Sequence, residues 1–416
     1  MLRNIGIRIR TNICNRCLKN IGIERLYHNP GSYSSQELTN QKHKKSLFHL
    51  RLSTNNQRLI SFWGASTAND WSKAISDAEK IVGYPTSFMS LRCLLSDELS
   101  NIAVQMRKLV GTKHPLLKTA RGFVYDGKHT MQTRGLVVLL ISKAAVGTEV
   151  PSEQELIAGI HPKQRQLAEI SEMIYTANLI HKGVIDVSDM SAEDGCQKDL
   201  EFGNKMAVLS GDFLLASASM GLAELHNTKV VEIVSGAIGD LMRAEFTELC
   251  SPRGTPSLTS STTYQDWETQ TFLSSGSLLA KCCQSTLELA GHCKEMQDKA
   301  FQYGKHLAFA HQLHEDLQPF THPTDENGDQ ISLGSAPVIL HYSKPENKPH
   351  LNRLLDSHVD QKKLRDTILS GTAVEETKRH CKENGKIAIN AIESFPSSEA
   401  KTALENMINA VTNNSR

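Results

Sequence analysis

The chain has 416 residues, enough for one large domain or two ordinary ones with a sizeable core. Its 46 Lys/Arg and 45 Asp/Glu nearly cancel, which excludes an overall basic charge as the basis for binding nucleic acid. Nine cysteines scattered without a framework spacing exclude a disulfide scaffold and fit a reducing compartment.

Charge is unevenly placed along the chain. Residues 1–60 hold eleven Lys/Arg against two acids, Glu24 and Glu37, and Leu2, Ile5, Ile9 and Ile13 recur at helical spacing among Arg3, Arg8, Arg10 and Arg16. An Arg-rich, acid-poor amphipathic start predicts a mitochondrial transit segment, cleaved between residues 25 and 65. A basic tail or a membrane-surface helix is the alternative. The expected location is the mitochondrial matrix, with association to the inner membrane left open. Cys14-x-x-Cys17 lies inside this segment and lacks the second ligand pair that structural zinc needs. The folded domain is expected over 65–412.

From there the pattern is helical. Asp70-Trp71 opens a run with Ala74, Ile75, Ala78 and Ile81 on one stripe, and Ser96-Asp97-Glu98 precedes Leu99, Ile102, Met106, Leu109 and Val110. Residues 135–145 are nearly all apolar and read as a helix buried on every side, although their β-branched content leaves a strand open. Leu167, Ile170, Ile174, Ala177 and Ile180 step by threes and fours, one face of a helix of about four turns. Further helices are predicted over 204–225, 229–249 and 267–291. The apolar stretch 206–222 reads as buried rather than as a membrane anchor. A later helix carries Ala300, Gly304, Leu307 and Ala310 on one side and stops at Pro319-Phe320. Two more fill 366–412, divided by Phe395-Pro396-Ser397-Ser398. Loops rich in Ser, Thr, Pro and Gly fall at 251–263 and 321–332, with a Lys/Pro loop at 342–350. Long helices that are apolar on several faces must pack together, so the expected fold is a single all-α domain, a bundle of long helices.

Several segments carry a family resemblance. The run from Glu172 to His181, Phe202-Gly203-Asn204-Lys205 with Ala207 to Leu214, Gln302-Tyr303-Gly304-Lys305-His306 with Gln312, and Ser394 to Leu404 together resemble the all-trans polyprenyl diphosphate synthases over about residues 90–412. The resemblance implies the isoprenoid-synthase bundle and condensation of isopentenyl diphosphate onto an allylic diphosphate. In that family two Asp-Asp-x-x-Asp clusters on helices hold Mg²⁺, which neutralises the leaving diphosphate.

Both clusters are eroded here. The first reads Lys182-Gly183-Val184-Ile185-Asp186. On a continuing helix Lys182 and Asp186 share a face and form an i,i+4 ion pair worth about 0.2–0.5 kcal/mol. The second reads Glu315-Asp316-Leu317-Gln318-Pro319, where proline must end or kink the helix. Asp186, Glu315 and Asp316 remain as degenerate metal ligands, with a solvated helix terminus as the equal alternative for the last two. Ser274-Ser275 stands where the family has Lys-Thr, and Ser191-Ala192-Glu193-Asp194 replaces an Arg-Arg pair. Lys128 and Arg134 are the candidates for gripping isopentenyl diphosphate, the alternative being surface charges ahead of a buried helix. Ala177 implies an open product channel, and Gln312 joins the substrate-binding set.

Within the family, these losses resemble the carboxylate-poor chain of heteromeric decaprenyl or solanesyl diphosphate synthases, which make the ubiquinone side chain. The resemblance implies a partner, catalytic subunit 1, in a heterodimer or heterotetramer, and Mg²⁺ bound mainly by that partner. Two other readings stay open: a self-sufficient homodimer with unusual metal ligation, and a regulatory or scaffold protein that binds isoprenoid without a part in turnover.

Overall fold

The computed structural model describes residues 68–83, 112–116, 133–146, 159–247, 249, 258–321, 331–355 and 360–413. These belong to one compact unit, residues 52–416. The basic segment 1–60, the helix expected from Leu99 to Val110, and Lys128 fall outside the described residues.

Thirteen α-helices are present among them, with no strand. They are α1 (Ala68–Ile81), α2 (Thr133–Ala144), α3 (Pro162–His181), α4 (Gln197–Glu224), α5 (Thr228–Arg243), α6 (Tyr264–Thr271), α7 (Ser277–Leu289), α8 (Lys294–Thr321), α9 (Ala336–Tyr342), α10 (Lys348–Leu355), α11 (Gln361–Leu369), α12 (Ala373–Ala391) and α13 (Glu399–Asn413). The all-α bundle read from periodicity is therefore the fold.

α2 is its axle. Every residue except Lys143 is buried, and α1, α3, α7 and α13 surround it. A helix that is apolar on all faces has to sit there. Lys143 leaves the core to donate from Nζ to the carbonyl of Ile81 at the end of α1 (2.7 Å). Ser142 and Thr286 exchange a hydroxyl hydrogen bond (2.7 Å) between α2 and α7. α7 and α8 run close because Gly304 faces Ala280, where a Cβ would stand 2.9 Å from the Ala280 Cα. Tyr303 Oη donates to the Leu404 carbonyl (2.9 Å), joining α8 to α13. A second, smaller core forms where Leu317 and Phe320 of α8 meet Val338 and Leu340 of α9, Leu351, Leu364, Ile368 and Val374.

Four expectations need correction. The C-terminal region holds three helices, since Gln361–Leu369 forms its own, capped by the Asp360 carboxylate on the amides of Lys362 and Lys363. The helix expected over 267–291 starts at Tyr264 behind a Thr263–Asp266 capping box and passes through one π-helical turn, Phe272–Gly276, that includes Ser274 and Ser275. α8 does not stop at Pro319 but runs on to Thr321. Pro319 lacks the N–H that would reach the Glu315 carbonyl and crowds that carbonyl, and Thr321 Oγ1 donates to the Leu317 carbonyl (3.1 Å) in the last turn.

The fourth correction concerns α4. Its stretch 206–222 reads as buried, yet only 33% of the helix's most apolar window is. Leu209, Phe213, Ala216 and Met220 are exposed, with Phe213 at 46% and Met220 at 65%. Among the described residues α4 is the one helix long and apolar enough to cross a membrane by length and composition, while its inner face packs on α3.

The Gly304–Ala280 approach gives a direct test. Gly304→Val should lower stability by about 1–3 kcal/mol through overpacking, read as a reduced urea midpoint, whereas Gly239→Ala, inside α5 with nothing within 4 Å of the added methyl, should raise the midpoint, since alanine favours a helix over glycine by about 0.5–1 kcal/mol.

Candidate functional site

The first eroded cluster is pinned loop rather than helix. α3 ends at His181, and Lys182 is its C-cap. Lys182 therefore does not share a helical face with Asp186, and the expected ion pair between them is absent. Lys182 Nζ instead reaches Glu245 Oε1 (2.8 Å), in the 3₁₀ turn Ala244–Phe246 that follows α5. Asp186 caps the 3₁₀ turn Val187–Asp189, accepting from the Ser188 amide (2.9 Å) and hydroxyl (2.7 Å).

Between these two, Ile185 is gripped on both sides by Asn204 of α4. The Asn204 amide accepts from the Ile185 N–H (2.9 Å) and donates to its carbonyl (2.7 Å). His114 Nε2 approaches the same Asn204 oxygen (3.0 Å), with its ring over Gly203. The His181 ring lies against Gly211, where a Cβ would fall 2.1 Å from Nε2, and reaches Asp212 (3.3 Å). Asn204, Gly211 and Asp212 thus make a socket for the end of α3, and Gly203 takes the His114 ring. Farther along, Asp194 is salt-bridged to Lys113 (2.7 Å). That lysine and the Ser191 amide and hydroxyl hold its pKa down at about 2.

The second cluster is interior. Asp316 is buried, and three donors converge on it: Trp267 Nε1 (3.0 Å) and the Ala336 amide (2.8 Å) on Oδ2, and Gln312 Nε2 (3.0 Å) on Oδ1. Hydrogen bonds to a charged acceptor contribute about 1.5–3 kcal/mol each. A solvated helix terminus is therefore the wrong description of this residue. Glu315 beside it is pushed up to about 8, by burial first and by the Asp316 charge second. His314 and Gln318 pair at 2.9 Å. Gln312, expected on substrate, is taken up by Asp316.

Arg134 is neither a surface charge nor open to a ligand from solvent. It is 2% exposed in the first turn of α2, its guanidinium 3.4 Å from the Tyr175 ring centroid. Glu172 of α3, also 2% exposed, accepts from the Gly135 amide (2.7 Å) at the same helix start. Burial drives its pKa up to about 7 against the opposing pull of that amide and of Arg134. Ala177, one turn beyond Glu172, is fully buried in the main core.

Sequence reasoning missed a third polar centre. Asp240 of α5 takes the Ser277 hydroxyl, Lys281 Nζ (2.6 Å) and Arg243 Nη1 (2.9 Å). Burial resists its ionisation, but these partners outweigh it and keep its pKa below the usual carboxylate range. The available signal was a lone acid and a lone lysine on two otherwise apolar helix faces.

The positions implied for Mg²⁺ do not fit the ion in this chain. Hard divalent cations want several free oxygen ligands. Asp186 and Asp316 are committed to protein donors, burial favours the neutral form of Glu315, and Lys182 adds positive charge. No group of three or more His, Cys, Asp or Glu arranged for a metal occurs among the described residues.

The polyprenyl synthetase family model matches residues 117–370. The chain is 50% identical over 350 residues to the all trans-polyprenyl-diphosphate synthase PDSS2 of Rattus norvegicus, covering 82% of this chain and 87% of that one. It is 33% identical over 408 residues to a probable mitochondrial hexaprenyl pyrophosphate synthase of Neurospora crassa, covering 83% and 89%. Its fold matches the apo form of an Arabidopsis medium/long-chain length prenyl pyrophosphate synthase with a TM-score of 0.53 at 26% identity, over 78% of this chain and 99% of that one. This chain belongs to the polyprenyl synthetase family, and its architecture is the isoprenoid-synthase bundle.

The buried Glu172 yields a pH test. A carboxyl whose folded pKa is raised favours folding fully below its unfolded pKa, near 4.5, and that contribution is lost as pH rises through about 7. The contribution of Glu172 to stability should therefore fall between pH 5 and pH 8. Glu172→Gln should flatten the fall by an amount on the order of 3 kcal/mol or less, read from urea midpoints across that range. Arg134→Met removes the guanidinium whose charge opposes burial at Glu172 and should move the Glu172-dependent fall to higher pH, and Arg134→Met with Glu172→Leu should abolish that fall.

Proposed function

We propose that this chain is the carboxylate-poor subunit of a heteromeric all-trans polyprenyl diphosphate synthase, of the decaprenyl or solanesyl type, in mitochondria. The complex condenses isopentenyl diphosphate onto an allylic diphosphate to build the ubiquinone side chain. A sister chain with intact aspartate clusters, catalytic subunit 1, binds Mg²⁺ and ionises the allylic diphosphate. This chain alone is inactive and contributes the interface and part of the wall around the growing product. The 50% identity to PDSS2 and the mitochondrial name of the Neurospora crassa relative support the placement.

One observation carries the reading. Each carboxylate left from the two clusters is engaged or disfavoured as a ligand: Asp186 by Ser188, Asp316 by Trp267, Gln312 and Ala336, and Glu315 by a burial-raised pKa. The exposed stripe of α4 supports a partner. Leu209, Phe213, Ala216 and Met220 recur at the 4-3-4 spacing of a helix that packs against another helix.

Co-expression of the chain with its sister subunit, beside each chain alone, tests this. Polyprenyl diphosphate should form with magnesium only when both are present. Turnover by the lone chain would sink the reading, and undiminished turnover by the sister alone would favour a regulatory role. Phe213→Asp with Met220→Asp should abolish co-purification of the two chains, while the far-ultraviolet circular dichroism of this chain stays helical.

A further inference from the structure

The second cluster position keeps two carboxylates, Glu315 and Asp316, and the surroundings of Asp316 show what that side chain does. Asp316 sits at the boundary of the two hydrophobic cores. Trp267, which donates to it, is packed in the main core, and its indole is fixed from the other side by stacking on Tyr264 (5.2 Å between centroids). Tyr264 stacks in turn on His380 of α12 (4.4 Å). Ala336, the second donor, opens α9, whose Val338 and Leu340 lie in the smaller core with Leu317 and Phe320 of α8. One carboxylate therefore ties α6, α8 and the start of α9 together.

We infer that the second cluster of this chain is a metal-free structural joint, in which Asp316 couples the two cores through Trp267 and the N-terminus of α9. Trp267, Ala336 and Gln312 occupy three of the roughly four lone-pair directions of the Asp316 carboxylate, which leaves at most one for a divalent ion. The third ligand position is Pro319, which offers no side-chain oxygen. The assignment concerns the chain's own fold and is tested separately from the subunit reading, which turnover decides.

The experiment is thermal unfolding of the full chain in EDTA and in millimolar magnesium. Asp316→Asn and Asp316→Ala should lower the midpoint by several degrees, equally in both buffers. Trp267→Phe, which keeps the ring packing and removes only the N–H, should lower it by less. Asp316→Ala with Trp267→Phe should lower it by less than the sum of the two single losses, because they share one hydrogen bond. A parent midpoint that rises with magnesium, with the rise gone in Asp316→Asn, would show a metal ligand and overturn the inference. Strictly additive losses would also overturn it. Should Asp316→Ala fail to fold, Asp316→Asn and Trp267→Phe supply the same comparison.

Discussion

Charge buried among apolar helices has to be answered by a donor, a counter-charge or a proton, because water is not there to do it. Everything specific about this bundle follows from how its interior carboxyls meet that demand. Asp240 is answered by Lys281, Arg243 and Ser277, and Asp316 by an indole, a side-chain amide and a helix N-terminus. Glu172 has an amide and a nearby guanidinium, yet burial still lifts its pKa to about 7. The protein's own donors thus answer these carboxyls, and each answered carboxyl joins the helices around it.

The two cluster positions were rebuilt in different ways. The first became a capped loop in a socket, with His181 against Gly211, Ile185 held by Asn204 and Lys182 tied to Glu245. The second became an interior node between cores. The Lys182–Glu245 pair is partly exposed and is worth about 1 kcal/mol or less, so most of the local order at the first position rests on the Asn204 grip and the ring-on-glycine contact.

Helix existence was legible from periodicity for α1, α3, α5, α8, α12 and α13, and burial on all sides was legible for α2. The exposed face of α4 was not, because an apolar residue reads the same whether it meets a core or another chain. The start of α3 was hidden because His161, an unusual N-cap, builds the box with Gln164. At the site, sequence located both eroded clusters but misassigned their partners. Local spacing suggested Lys182 with Asp186, whereas Glu245 is brought in by tertiary packing. Gln312 and Asp316, singled out for substrate and metal, are neighbours one turn apart that bond to each other.

α4 has two opposed faces, and the opposition has a mechanical consequence. Asn204 and Gly211, seven residues apart, lie on one side and hold the end of α3. Leu209, Phe213, Ala216 and Met220 fall roughly half a rotation away. A helix is stiff across its width, which is about 10 Å. Whatever seats on the outer side therefore pushes on the same rod that carries the Ile185 grip, and a shift imposed from outside is delivered to the rim of the bundle without any intervening hinge.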